Sequence, residues 1–149
     1  TEIYTLSLHD ALPIWTGLWR FHRVHHTDPA LNLSSAFRFH PVELTLSTFL
    51  NVAVLLLLGM SLAQFLWYKL IFTAVVLFHH SNVLLPSSVD GVLRRVIVSP
   101  QMHRVHHSDV PDETNSNYGS VFSGWDRLWG SMRDKNSARI RYGLDRFME

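Results

Sequence analysis

Cysteine is absent from the 149 residues of this chain, and charged residues are scarce. Without a thiol, the chain cannot form a disulfide, a cysteine-ligated zinc or iron–sulfur site, or a thiolate nucleophile. Charged residues make up 17% of the chain, whereas about 25% is usual for a soluble domain. The 13 basic residues form no dense run or stripe with aromatic residues, which argues against nucleic acid as a partner. Since 47% of the residues are hydrophobic, the chain is too apolar to be disordered.

The first fourteen residues, TEIYTLSLHDALPI, show no periodicity typical of a helix or a strand. They resemble the translation of a sequencing-library adapter, with the reading frame of the protein resuming at Trp15. We therefore treat residues 1–14 as an artefact and leave them out of the fold prediction. His9 is accordingly no candidate ligand, and residues 15–149 are expected to be the C-terminal part of a longer domain.

A long apolar run occupies the middle of the chain. In residues 44–78, Lys69 is the only formally charged residue. A membrane-spanning helix needs about 20 apolar residues, so the run is too long for one upright helix, and a tight turn would divide it at Gly59. We therefore predict a membrane hairpin over about residues 44–78, in preference to one long tilted or buried helix. Basic residues flank the run and are absent from the turn, which predicts that both flanks are cytoplasmic.

A short internal repeat flanks the hairpin. Residues 22–28 read HRVHHTD and residues 103–109 read HRVHHSD. In each copy, histidines at positions i, i+3 and i+4 would lie on one face of a helix, and Ser99 before Pro100 predicts the start of the second helix. The hairpin would bring the copies together and add one or two donors from its second helix. The candidate ligands are His22, His25, His26, His79, His80, His103, His106 and His107.

These histidines predict a site with room for two metal ions. Imidazole suits iron, zinc, copper and nickel, so the ligand type alone does not select the metal. The Glu-x-x-His pairs of ferritin-like sites and the His-Glu-x-x-His motif of zinc proteases are absent from the sequence. We predict an all-α fold: a membrane helical hairpin with a cytosolic helical cap that carries the histidine-rich metal site.

Other polar residues near the histidines support weaker predictions. Asp28, Asp109 and Asp126 could orient imidazoles through the second ring nitrogen, or could act as helix caps and loop carboxylates. His40 directly precedes Pro41 and is expected to begin a helix rather than to bind metal. Residues 109–123 are rich in Asp, Asn, Ser and Gly, which predicts a surface loop.

The order of these motifs resembles the sterol desaturase/fatty acid hydroxylase superfamily. The resemblance covers Trp15 to about Leu144 and rests on six segments of the sequence. They are His22-x-x-His25-His26, Arg38-x-His40-Pro41-x-Glu43, Phe78-His79-His80-Ser81-Asn82, Pro100-x-x-His103-x-x-His106-His107, and Asn117-Tyr118-Gly119 with Trp125-Asp126-Arg127-Leu128.

The resemblance implies an integral membrane enzyme with a non-haem di-iron centre. Such enzymes use dioxygen and an external electron donor to hydroxylate or desaturate a lipid. The implied iron ligands are the candidate histidines, with His79 the weakest member, and zinc is a possible substitute for iron. Family members carry an earlier H-x-x-x-H-type motif after a first hairpin, which this sequence lacks. We therefore expect the site to be incomplete and this fragment to be inactive.

Two other classes of protein remain open at this stage. A zinc-dependent membrane hydrolase would use a metal-bound hydroxide, although no carboxylate stands at motif spacing from the histidines. A non-catalytic metal-binding or assembly module would hold the ions without turnover. Consumption of dioxygen in the presence of lipid and reductant would separate the oxidoreductase from both alternatives.

Overall fold

The computed structural model describes residues 16–134 and 140–144, so the adapter-like residues 1–14 lie outside the described part. Within these ranges the fold is all-α, with isolated bridges but no strands. This confirms the predicted fold class. The helices in chain order are α1 Thr16–His26, a 3₁₀ helix Leu33–Phe37, α2 Pro41–Leu57, α3 Leu62–His79, α4 Ser87–Leu93, α5 Pro100–His106, α6 Pro111–Thr114 and α7 Gly124–Leu128.

The hairpin consists of α2 and α3, and local sequence explains its ends. Nδ1 of His40 accepts a hydrogen bond from the amide of Val42 at 3.1 Å, so His40 begins α2 as predicted. Gly59 turns the chain with φ at +60°, a conformation that favours glycine. Ser61 then caps α3 in a reciprocal arrangement with Gln64.

Helix α3 is long and apolar enough to cross a membrane, whereas α2 is a shorter apolar helix of 17 residues. Only 6% of the most apolar stretch of α3 is buried inside the protein. Large side chains such as Leu62, Trp67 and Leu70 are mostly exposed. The apolar surface of α3 is therefore directed outward and is not the core of a soluble domain.

The core of the cap surrounds α5. Ser99 caps this helix by accepting a hydrogen bond from the amide of Met102 at 3.3 Å, as the Ser-Pro signal predicts. Val98, Met102 and Val105 are completely buried. Arg104 is also buried and donates to the carbonyls of Ser81 and Val83, which ties α5 to the segment that follows α3.

The prediction that residues 109–123 form a surface loop is wrong. Much of this segment is buried, including Ser116, Asn117 and Ser120. Its polar groups find partners inside the protein: Nδ2 of the Asn117 side chain donates to the carbonyls of Met102 and Arg133. The polar composition therefore reflects internal hydrogen bonding rather than contact with solvent.

Candidate metal centre

Three helices carry the candidate ligands to one place. On α1, His22, His25 and His26 share the face that packs toward the cap. On α5, His103 and His106 face them, with His107 at the helix end. The C-terminus of α3 contributes His79 and His80. All eight predicted histidines are at most 3% exposed, and the structure brings all eight together.

Four of them form what we term the four-histidine group. One ring nitrogen from each lies within 4.8 Å of the others. Nε2 of His80 is 3.1 Å from Nε2 of His25 and 3.1 Å from Nε2 of His103. Nε2 of His107 is 3.0 Å from Nε2 of His103. This group takes one histidine from α1, one from the C-terminal end of α3, one from α5 and one from the residue after α5: His25, His80, His103 and His107.

The three-histidine group consists of His22, His26 and His106, whose ring nitrogens also lie within 4.8 Å of one another. Nε2 of His22 and Nε2 of His26 are 3.2 Å apart. The rings of His26 and His107 stack with centroids 4.3 Å apart, so the two groups adjoin. Each copy of the repeat therefore contributes to both groups.

His79 stands apart from both groups of converging nitrogens. Its ring is buried and stacks on His103 with centroids 4.0 Å apart and planes at 22°. Its ring nitrogens belong to neither group, whereas a ring nitrogen of His80 belongs to the four-histidine group. The geometry therefore favours His80 over His79 as the donor from the His79-His80 pair.

Several histidines are oriented by a hydrogen bond at Nδ1. In three of them Nδ1 donates to a backbone carbonyl oxygen. These pairs are His25 with Arg38 at 3.3 Å, His80 with Val76 at 2.8 Å, and His106 with Ser116 at 2.9 Å. A carbonyl oxygen only accepts, so each Nδ1 carries the hydrogen. The Nε2 atom of each neutral ring is left with a lone pair, which is the form that binds a metal ion.

Burial favours the neutral form of several histidines of the site. It lowers the pKa of His80 to about 4, although the hydrogen bond to Val76 acts in the opposite direction. Burial is also the main reason why the pKa values of His103 and His107 lie well below the usual value for histidine, with the neighbouring histidines as a second cause. Because neutral imidazole is the ligand form, the environment suits metal binding.

Glu43 belongs to the site, although the sequence analysis gave it no role. Its side chain is 3% exposed, and Oε1 accepts a hydrogen bond from Nδ1 of His22 at 3.0 Å. A carboxylate in this position fixes the tautomer and the orientation of a ligating imidazole. One feature of the sequence could have indicated this role: Glu43 is the only acidic residue between Asp28 and Asp90.

The three aspartates that could have oriented imidazoles have other partners. Asp28 accepts from the hydroxyl of Ser35 at 2.7 Å and lies near Arg38. Asp109 pairs with Arg141. Asp126 accepts hydrogen bonds from the amides of residues 118 and 119 and from the Ser131 hydroxyl. These carboxylates organise loops around the site instead of orienting its histidines.

The Asn117-Tyr118-Gly119 segment lies against the three-histidine group. Asn117 has a left-handed backbone with φ at 50°, a conformation that asparagine tolerates better than most residues. The ring of Tyr118 meets that of His106 edge-on, with centroids 5.9 Å apart. At Gly119 a Cβ atom would lie 2.7 Å from the carbonyl oxygen of Phe122. The motif thus permits a tight loop beside His106.

The fold and the site together define a class: an all-α protein in which buried histidine groups lie where a hairpin of apolar helices meets a small helical cap. The fatty acid hydroxylase family model matches residues 5–131. The chain belongs to this family, within the sterol desaturase/fatty acid hydroxylase superfamily indicated by its motifs.

Curated relatives include lipid-modifying enzymes from distant organisms. The chain is 36% identical over 118 residues to ornithine lipid hydroxylase OlsE of Rhizobium tropici, a match that covers 79% of this chain and 35% of the relative. It is 29% identical over 128 residues to alkylglycerol monooxygenase of Danio rerio and 27% to that of Homo sapiens, covering 85% of this chain and 27% of each relative. The matches thus span between about a quarter and about a third of the length of these relatives. No solved structure matches it.

Proposed function

We propose that this chain carries the metal-binding part of a membrane-bound non-haem di-iron enzyme that hydroxylates or desaturates a lipid. The four-histidine group would hold one iron ion and the three-histidine group the other. The family match and the lipid hydroxylase relatives support the lipid substrate. The histidine groups support the metal, for which zinc is a possible substitute.

The relation between His25 and His80 is the observation that carries this proposal. Both rings donate from Nδ1 to a backbone carbonyl, and their Nε2 atoms face each other at 3.1 Å. Two lone pairs at that distance repel each other unless a cation lies between them. A metal ion resolves this repulsion without protonating either buried ring.

The spacing of the ring nitrogens fits ligation by a single ion. Metal–nitrogen bonds of about 2.0–2.1 Å place two ligands of one ion about 2.8 to 3.4 Å apart, the range between cis-octahedral and tetrahedral geometry. The neighbouring Nε2 atoms in the two groups are separated by 3.0 to 3.2 Å. The residues present therefore fit the ions that the family implies.

The substrate would reach the site from the bilayer. We place α2 and α3 in the membrane, because their apolar side chains are directed outward, and we place the histidine groups at the cytoplasmic end of the hairpin. Basic residues on the histidine side, such as Arg38, Arg94 and Arg95, agree with this orientation. An electron donor would approach from the same side.

In the proposed hydroxylation, bound iron supplies the redox chemistry that activates dioxygen. One oxygen atom enters a lipid C–H bond, and the other leaves as water, with two electrons from the external donor and two protons. Desaturation would use the same inputs but would remove two hydrogens from the lipid and form two waters. The histidines hold and tune the ions, Glu43 fixes His22, and the buried cap limits access of water to the site.

Both histidine groups consist only of imidazoles, which makes a zinc hydrolase the weaker candidate. The buried carboxylate of Glu43 accepts a hydrogen bond from Nδ1 of His22. A hydrolase of the usual type needs a carboxylate base near the metal-bound water. We therefore favour oxidation of a lipid over hydrolysis.

The test combines metal content with the origin of product oxygen. The chain is purified from membranes and loaded anaerobically with ferrous iron. We expect two iron ions per chain with imidazole scattering in the X-ray absorption spectrum, and a marked loss of iron in His25→Ala and His80→Ala. His40→Ala, which lies outside both groups, is the control.

The turnover measurement uses the full-length protein, because this fragment alone is expected to be inactive. Under ¹⁸O₂ with reductant and lipid, a hydroxylated product should carry one ¹⁸O atom per new hydroxyl. Label from water instead of dioxygen would contradict oxygenation. Iron binding that is independent of His25 and His80 would overturn the assignment of the ligands.

A further inference from the structure

A cavity of about 230 Å³ lies between α2 and α3 and connects two polar regions. One end reaches the histidine site, where Glu43 and His80 line the wall. The other end, deeper in the hairpin, is lined by Asn51, Tyr68 and Lys69. Lys69 lies on α3, and His80 follows its last residue, eleven positions later. The two ends are therefore separated by about 16 Å along the axis of α3.

The cavity follows one continuous face of each helix. On α2 the polar lining residues recur every four positions, at Glu43, Ser47 and Asn51. On α3 the lining residues recur at three- and four-residue spacing, which is the period of a helical face. Between the polar ends this face is mainly apolar. Between Lys69 and the histidine end, the α3 lining includes Phe72, Thr73, Val76 and Leu77.

Lys69 is the one formal charge in residues 44–78, and its side chain lines the cavity. Its ammonium group lies 5.4 Å from the centroid of the Phe72 ring. Within the described residues no carboxylate forms an ion pair with it. A charge in a membrane-spanning helix is costly, and it is usually paired or functional.

We propose that Lys69 binds the acidic headgroup of a single-chain lipid whose hydrocarbon tail occupies this cavity and extends to the histidine groups. The cation supplies charge complementarity at one end, the apolar middle accepts the tail, and the limited volume suits one chain. This inference deepens the proposed function, on which it rests in taking the bound lipid as the substrate. The oxidised carbon would then lie roughly 15 Å from the acidic group.

A binding experiment tests this without metal or turnover. The metal-free chain in non-ionic detergent is titrated with spin-labelled stearic acid, with the matching alcohol, and with the phosphate monoester of that alcohol. The immobilised fraction in the electron paramagnetic resonance spectrum gives the affinity. We expect both acidic probes to bind about tenfold or more tightly than the alcohol, a difference of about 1.4 kcal/mol. A preference for one acid would identify the headgroup as a carboxylate or a phosphate.

Variants assign this preference to the cavity. Lys69→Met should abolish it while leaving binding of the alcohol unchanged, and Lys69→Arg should retain it. Arg95→Met removes a positive charge from an exposed position outside the cavity and should behave as wild type. Equal binding of acid and alcohol by wild type, or an undiminished preference in Lys69→Met, would overturn the inference.

The outcome is separable from that of the proposed function. If the acid preference depends on Lys69 but the iron content does not depend on the histidines, the lipid site stands and the di-iron proposal fails. If iron binds as proposed but the preference is absent, only the inference about Lys69 fails.

Discussion

Oε1 of Glu43 lies 3.0 Å from Nδ1 of His22. Glu43 is in the first turn of the apolar helix α2, and His22 lies 21 positions earlier, on α1. This hydrogen bond joins the hairpin to the three-histidine group. It also holds the hydrogen of His22 on Nδ1, so that Nε2 is directed toward His26. Glu43 is therefore a positioning residue for a candidate metal ligand.

We expect Glu43→Gln to weaken metal binding at the three-histidine group by about 10- to 100-fold, as loss of an outer hydrogen-bond partner usually does. The amide can accept a hydrogen bond but lacks the charge of the carboxylate, so His22 becomes a weaker donor to the metal. Competition with a graded series of chelators measures the change. Ser47→Ala, one turn further along α2, is the matched control. Unchanged affinity in Glu43→Gln would show that the contact has only a structural role.

His40 and His25 provide a second comparison. Replacing His25 with Ala removes a donor from the four-histidine group, and no carboxylate or thiol stands in its place, so iron content should fall and any lipid oxidation should be abolished. His40→Ala removes the cap of α2 and a ring contact with Phe21. Loss of the cap should cost about 1 kcal/mol of stability, and the iron should stay bound. Metal analysis and thermal unfolding measure the two effects. Iron loss specific to His40→Ala would reverse the assignment.

The sequence alone predicted which residues come together, because helical spacing places i, i+3 and i+4 histidines on one face. It also predicted the position of the hairpin turn, since Gly59 is a local signal. The division of seven histidines into groups of four and three was not predictable in this way. It depends on how deeply the end of α3 inserts between α1 and α5, which is a property of tertiary packing.

Two other features lay beyond local pattern for the same reason. The spacing of Glu43 from the histidines in the sequence matches no metal-binding motif. Its role appears only in the folded structure, where α2 packs against α1. The segment around Asn117 has the composition of a surface loop, but its side chain spans from Met102 to Arg133. Composition reports polarity, and it does not report whether the partner is water or another part of the chain.

The tight loop beside His106 gives a third prediction. Gly119→Ala would place a Cβ atom 2.7 Å from the carbonyl of Phe122 and 2.9 Å from Oδ2 of Asp126. Because backbone atoms cannot yield cheaply, we expect a loss of stability of about 1–3 kcal/mol and weaker metal binding at the three-histidine group. Gly91→Ala, in α4 with nothing within 4 Å, should be neutral or slightly stabilising. Equal unfolding midpoints for the two variants would contradict this account.

Acid should destabilise the metal-free protein. The pKa of His80 is about 4 in the folded state, below its usual value of 6.5, and the pKa values of His103 and His107 are also lowered. Below pH 6.5 the unfolded chain therefore binds more protons than the folded one, so stability falls as the pH falls, by up to about 1.4 kcal/mol per pH unit for each histidine.

Thermal unfolding of the chelator-treated protein between pH 8 and 5 measures this dependence. The midpoint should be nearly constant above pH 7 and should decrease steadily below pH 6.5. Iron-loaded protein should resist acid further, because bound metal holds the imidazoles neutral. A midpoint that rises toward pH 5 would show that these rings are protonated in the folded state.

Membrane topology gives the last prediction, for which the absence of native cysteine is convenient. If α2 and α3 each cross the bilayer once, residues near the turn lie on the face opposite the histidine cap. Leu62→Cys is a suitable reporter of the turn, because Leu62 is 69% exposed. Asp112→Cys reports the cap, since Asp112 is exposed on α6. A membrane-impermeant maleimide applied to sealed vesicles should label the two variants from opposite faces. Labelling of both variants from the same face would exclude the two-crossing hairpin. Helices α2 and α3 would then have to lie along the membrane surface.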